Sequence, residues 1–266
     1  MIRIRWIGWL MLGPVVFAGV VLSLAFYRTL SLVLVPEIQG RGQNLLWVSS
    51  GGIAWLMILC LGKVVVGRLV GLRVYVLAHE LTHLVWTFLS GGRGRLERVG
   101  QSGGAMVTDR TNLMIVLSPY FYPLLTVFVV MVTPLVSWAG DHYAVGDVWQ
   151  GRLDALLYGL VGFTLAHHYT FTLYVLPKGQ SDFLHSGKAF SLAVIWVMNV
   201  VVLTVVLLML PRTAPFDAYG GELFESFGII SDAVVPLMER GCAWISEMFY
   251  RFVDWVRGGV SAVRAV

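Results

Sequence analysis

The chain has 266 residues, of which 58% are hydrophobic and 13% are charged, and its formal net charge is +4. Soluble domains usually carry about 25% charged residues, so this composition excludes a disordered chain, a nucleic-acid-binding domain and most soluble folds. The surplus of apolar surface indicates contact with membrane lipid and no nucleic-acid partner.

Six apolar runs follow one another along the chain, and each is near or above the roughly 20 residues that a helix needs to cross a bilayer. Lipid offers the backbone no hydrogen-bond partners, so continuous apolar runs of this length predict transmembrane helices. The runs are residues 6–35, 45–66, 69–89, 113–138, 153–176 and 189–210. The predicted fold class is all-α, a polytopic transmembrane helical bundle of about six spans.

The third run carries three ionisable side chains within five residues: His79, Glu80 and His83. A charged group at the bilayer centre costs about 2.5–3.5 kcal/mol on insertion scales, so such groups are functional by default. Residues four apart share one face of a helix, about 5–6 Å from each other, and two imidazoles so placed can bind one Zn²⁺. The H-E-x-x-H spacing therefore predicts zinc ligands at His79 and His83. A polar network between helices, without metal, is the alternative.

The glutamate of this motif is the predicted catalytic residue. Glu80 is offset by one position from the first histidine, so it can reach a metal-bound water without being a ligand. Zn²⁺ lowers the pKa of that water toward about 7, and the carboxylate can take its proton and pass it to the leaving amine.

A segment rich in glycine and arginine follows the third run. Residues 91–110 contain two glycine pairs and four arginines, and polar and apolar side chains interleave over residues 95–99. This pattern predicts a short Gly-rich hairpin at the membrane surface, directly after the catalytic helix.

A catalytic zinc site needs a third protein ligand and an open fourth position. Asp182 follows Pro177 and Gly179 between two apolar runs, and irregular backbone at membrane depth is tolerated where it lines a cavity. Asp182 is the predicted third ligand. His167 and His168, inside the fifth run, are the alternative ligands, and they are equally candidates for contacts to the substrate or the transition state, or for packing between helices.

The runs divide the chain into three segments: residues 1–68 with two spans, residues 69–210 with four, and a tail of residues 211–266. In the tail, apolar side chains between residues 243 and 257 share one side of a helix, while Glu247, Arg251 and Asp254 recur on another. This pattern predicts a C-terminal amphipathic helix in the membrane interface. A helix that binds a partner protein is the alternative.

Residues 69–210 resemble the site-2 protease family of intramembrane zinc metalloproteases, in its small bacterial type without an inserted peptide-binding domain. Three motifs carry the resemblance. They are the H-E-x-x-H pattern followed by Gly91-Gly92-Arg93, Ser118-Pro119-Tyr120 in the next run, and Leu176-Pro177 leading to Ser181-Asp182.

The resemblance implies a zinc-dependent endopeptidase of the bacterial inner (plasma) membrane, whose substrate is a transmembrane segment of another protein. It implies His79, His83 and Asp182 as zinc ligands. Glu80 would be the general base.

Two positions depart from the family pattern, because Thr82 and Phe183 stand where many members have glycine. They leave open a non-proteolytic membrane component with a structural or degenerate metal site. A transporter or channel with an ionisable path is a third interpretation, but transporters tend to have repeated halves, and this sequence has no evident repeat.

Overall fold

The computed structural model describes residues 2–34, 41–67, 69–100, 103–143, 146–178, 187–209 and 216–263. Within these ranges the chain is mostly helical, with a two-stranded sheet between the third and fourth helices. The elements are α1 (Ile2–Leu34), α2 (Arg41–Leu61), α3 (Leu72–Leu89), β1 (Gly94–Gly100), β2 (Gly103–Thr108), α4 (Leu113–Leu117), α5 (Leu124–His142), α6 (Asp147–Val175), α7 (Lys188–Met209) and α8 (Phe216–Val263).

Three of the described helical segments are long and apolar enough to cross a membrane. They are Met11–Ser31, Asn44–Val65 and Lys188–Met209. Helices α3 and α6 form where two further spans were predicted, but their charged and imidazole side chains make them less apolar. The coarse prediction of a mostly helical chain with long apolar helices is confirmed, and the count of six spans stays a prediction.

The composition of the fourth apolar run predicted one continuous helix. The structure instead divides this run into two helices. Helix α4 passes into a 3₁₀ turn at Ser118–Tyr120, and α5 begins at Leu124 with its axis bent by 80°. Pro119 and Pro123 explain the break, because proline lacks the N–H that a helix interior needs and disfavours helical geometry in the residue before it.

Helices α2 and α6 pack against each other with their backbones in close approach. A Cβ atom on Gly51 would overlap the carbonyl of Gly159, and one on Gly162 would overlap the carbonyl of Val48. Small residues permit this approach, which is a common way for helices to associate in membranes. The contact fixes the position of α6, and with it the histidine pair that α6 carries.

The last helix is much longer than the amphipathic stretch predicted at residues 243–257, since α8 begins at Phe216. It packs against α1, where Arg28 forms ion pairs with Glu222 at 2.5 Å and Glu225 at 2.6 Å. The location of α8 in a membrane interface remains a prediction.

The two strands form an antiparallel hairpin in which Gly94 faces Thr108 and Gly100 faces Gly103, with an irregularity in register between Leu96 and Arg98. The hairpin folds back along α3. A Cβ on Gly94 would meet the Leu84 side chain, and one on Gly104 would meet Glu80, one helical turn nearer the start of α3. The hairpin therefore runs from the end of α3 toward the H-E-x-x-H motif.

Candidate metal centre

Helix α3 places Tyr75, His79 and His83 at successive i, i+4 positions, so the three rings share one face. The ring centroids of the two histidines are 4.9 Å apart, and those of Tyr75 and His79 are 5.8 Å apart. Buried rings from two other segments lie against this face: the Tyr120 ring is 5.3 Å from His79, and the His168 ring is 6.2 Å from Tyr75. The motif therefore faces the interior of the bundle.

His83 is held in one tautomer by the backbone of α4. Its Nδ1 lies 2.7 Å from the carbonyl oxygen of Ile115, which can only accept, so Nδ1 donates the hydrogen bond. The neutral ring then carries its lone pair on Nε2. Histidines that ligate a metal commonly have their other nitrogen fixed in this way.

One ring nitrogen of His79 is buried without a hydrogen bond to any described residue. Its Nδ1 is buried and has no hydrogen-bond partner among the described residues. Leaving a buried polar atom unpaired costs about 1–3 kcal/mol. The His79 ring is also within electrostatic range of both His83 and His168.

The adjacent histidines of α6 point to different places. His168 is buried, and its Nε2 has no hydrogen-bond partner among the described residues. His168 therefore contributes a buried ring nitrogen on the side of Tyr75.

His167 instead supports the start of α3. Its Nε2 donates to the carbonyl of Gly71 at 3.1 Å, and its ring packs edge-on against Trp55 at a centroid distance of 4.7 Å. Gly71 has a φ of 85°, which glycine adopts without steric cost, and α3 begins at the next residue. His167 thus contacts the backbone about two helical turns before the H-E-x-x-H motif.

Glu80 is 8% exposed and lies beneath the second strand of the hairpin. A Cβ atom on Gly104 would lie 2.6 Å from the carboxyl carbon of Glu80, too close for any other residue to fit without a shift. The missing side chain of Gly104 therefore lets the backbone of β2 rest directly on the carboxyl group.

The third predicted ligand, Asp182, lies in residues 179–186, outside the described residues. In the part of the chain that the structure describes, no group of three or more His, Cys, Asp or Glu side chains is arranged to hold a metal ion. The residues present fit two ligand positions of a zinc site. His79 and His83 share a face, His83 carries its lone pair on Nε2, and His79 has a buried nitrogen that needs a partner.

Thr82, one of the two positions at which the sequence departs from the pattern it resembles, is accommodated within its own helix. Its side chain is 1% exposed, and its hydroxyl donates to the carbonyl of Ala78 at 2.7 Å. The hydroxyl is thus satisfied locally and leaves the histidine face of α3 unobstructed.

Two residues of the site were not predicted from the sequence. Tyr75 could have been found, because it precedes His79 by the same four residues that separate His79 from His83. Gly104 gave only the general signal of a glycine pair, because its contact with Glu80 depends on the direction in which the hairpin folds.

No family model matches this chain, and no curated protein or solved structure shows significant similarity to it.

Proposed function

We propose that the protein is a zinc-dependent intramembrane endopeptidase, embedded as a multi-pass protein in the bacterial inner membrane. The observation that carries the proposal is the inward-facing pair His79 and His83 on α3, together with Glu80, whose side chain is buried beneath β2. Ionisable groups are costly in a bilayer, so two imidazoles on the inward face and a buried carboxyl group on the same helix support a functional site.

His79 and His83 are the proposed zinc ligands, and Asp182 is the proposed third. His168 is the alternative third ligand, because its buried Nε2 has no hydrogen-bond partner among the described residues. The bound Zn²⁺ would supply a water whose pKa is lowered toward about 7.

Glu80 is the proposed general base and general acid. Its carboxylate takes a proton from the attacking water as the water oxygen bonds to the scissile carbonyl carbon. When the C–N bond breaks, Glu80 delivers that proton to the leaving nitrogen, which departs as an amine. Its burial keeps bulk water away from this proton transfer.

The proposed substrate is a transmembrane segment of another protein. A helix hides its carbonyl groups in its own hydrogen bonds, so the segment must unwind locally before it can be cut. The extended strands of the hairpin beside Glu80 support the proposal that an unwound substrate pairs with a strand edge there.

The test is a comparison of membrane proteomes from cells that carry wild-type protein or Glu80→Gln. We expect a single-span protein to be truncated with wild-type protein and full-length with Glu80→Gln. Glu247→Gln, at an exposed position on α8, is the matched control and should behave as wild type. Cleavage that persists in Glu80→Gln would overturn the proposal and favour a membrane component with a structural metal site.

A further inference from the structure

The base of the hairpin is fastened to the end of α3. The backbone N–H of Arg93 donates to the Asp109 carboxylate at 2.6 Å, and the N–H of Asp109 donates to the Arg93 carbonyl at 3.1 Å. The Arg110 side chain donates to the carbonyl of Ser90 at 3.0 Å. The first two bonds join the two ends of the hairpin to each other, and the Arg110 bond ties them to the residue that follows α3.

The far end of the hairpin is built differently. We use the name hairpin tip for Val99, Gly100, Gly103 and Gly104, the described residues nearest the turn. Three of the four are glycines, and Gly103 has a φ of 130°, which other residues rarely adopt. The four described residues of the tip therefore have few side chains with which to pack. The pairing of β1 with β2 continues to Gly100 and Gly103, but the side-chain hydrogen bonds described above lie at the base.

The tip lies on the residue that the proposed reaction requires. Gly104 rests against the carboxyl group of Glu80, which is 8% exposed. The backbone of β2 thus covers this side of the carboxyl group. A peptide that approaches Glu80 from the hairpin side can reach the carboxylate only if the tip moves.

We propose that the hairpin tip is a lid over Glu80, closed in this structure and hinged at the fastened base, which a substrate opens by displacing Gly104. The role of the lid in catalysis rests on the proposed function. The closed position of the tip rests only on the contact between Gly104 and Glu80. The closed lid excludes water and unselected peptides from the carboxylate, and the open lid admits an extended segment.

The first test measures access to position 80 in the full-length protein in lipid vesicles. Cys60 and Cys242 are replaced by serine, Glu80 by cysteine, and alkylation by N-ethylmaleimide is followed by mass spectrometry. Gly104→Ala is then added. The new Cβ overlaps the position of the Glu80 Cγ atom, and the sulfur of a cysteine at position 80 takes that position in the same rotamer. We expect this overlap to displace the tip. Val107→Ala, at an exposed position on the same strand, is the matched control.

We expect slow alkylation with the native tip and with Val107→Ala, and alkylation about tenfold faster with Gly104→Ala, because a displaced tip no longer protects the site. Equal rates in all three proteins, or fast alkylation with the native tip, would overturn the lid.

A second measurement does not depend on opening the tip. The pair Glu80→Cys and Gly104→Cys should form a disulfide under mild oxidation, whereas the pair Glu80→Cys and Val107→Cys should not. A folded protein in which the first pair stays reduced would contradict the closed position. Neither measurement uses proteolysis, so cleavage retained by Glu80→Gln would overturn the proposed function and leave the lid in place.

Discussion

The Nδ1 nitrogen of His83 and the backbone carbonyl oxygen of Ile115 are 2.7 Å apart, so a predicted zinc ligand on α3 is oriented by the backbone of α4. The Ile115 backbone is itself held, because its N–H donates to the side-chain oxygen of Asn112 at 2.8 Å. Asn112 is the N-cap of α4. The orientation of the His83 ring therefore depends on a cap three residues before its partner.

The N-cap gives the first prediction. Asn112→Ala removes the acceptor, so we expect the free energy of unfolding to fall by about 1 kcal/mol. We also expect zinc to bind about tenfold more weakly, because the group that orients His83 is loosened. Asn112→Asp keeps a side-chain acceptor and should retain most of both properties. The measurements are thermal unfolding and zinc titration, and equal losses in the two variants would contradict the prediction.

The two histidines of α6 give the second prediction, since the structure assigns them different surroundings. His168→Phe removes the buried ring nitrogen that has no hydrogen-bond partner among the described residues, so we expect lower zinc affinity with little loss of thermal stability. His167→Phe removes the donor to Gly71, which should lower the stability by about 1–3 kcal/mol. Zinc content should then stay at the wild-type level while the protein is folded.

Each of these variants serves as the control for the other, because the residues are adjacent on one helix. The same two readouts, zinc binding and thermal unfolding, are measured for both. A His167→Phe protein that is stable but free of zinc would show that the two residues have been assigned the wrong way round.

The sequence predicted the α3 face of the site because one helical turn fixes the relation between His79 and His83. It could not separate His167 from His168. Neighbouring residues on a helix point about 100° apart, and which of them faces the site depends on how α6 is rotated. That rotation follows from contacts with α2 at Gly159 and Gly162, which are properties of the packed structure.

The sequence predicted where most helices of the fold lie, but not where each helix breaks or begins. Apolar length located the helices, but it overestimated the continuity of the fourth run, because Pro119 and Pro123 outweigh its apolar character. The helix at the C-terminus was predicted over its most amphipathic part only. The helix begins earlier, at Phe216, and its first part includes Glu222 and Glu225, which form ion pairs with Arg28. Arg28 lies more than 190 residues earlier in the chain, so no local sequence pattern reveals this contact.

The close contact between α2 and α6 gives the third prediction. Gly162→Val places side-chain atoms where the carbonyl of Val48 now lies, so we expect the helices to separate and the free energy of unfolding to fall by about 1–3 kcal/mol. Gly151→Ala, on the same helix with open space around it, is the control and should leave stability unchanged or slightly raised. Thermal unfolding in detergent measures both, and equal stability of the two variants would contradict the packing.

The central claim is that two imidazoles one helical turn apart hold a metal ion, and the metal content of the purified full-length protein tests it most directly. We expect about one zinc per chain in the wild type, the same in Glu80→Gln and in the exposed control His142→Ala, and loss of zinc in the double variant His79→Ala, His83→Ala. Wild-type protein without zinc, or zinc that persists in the double variant, would contradict the account.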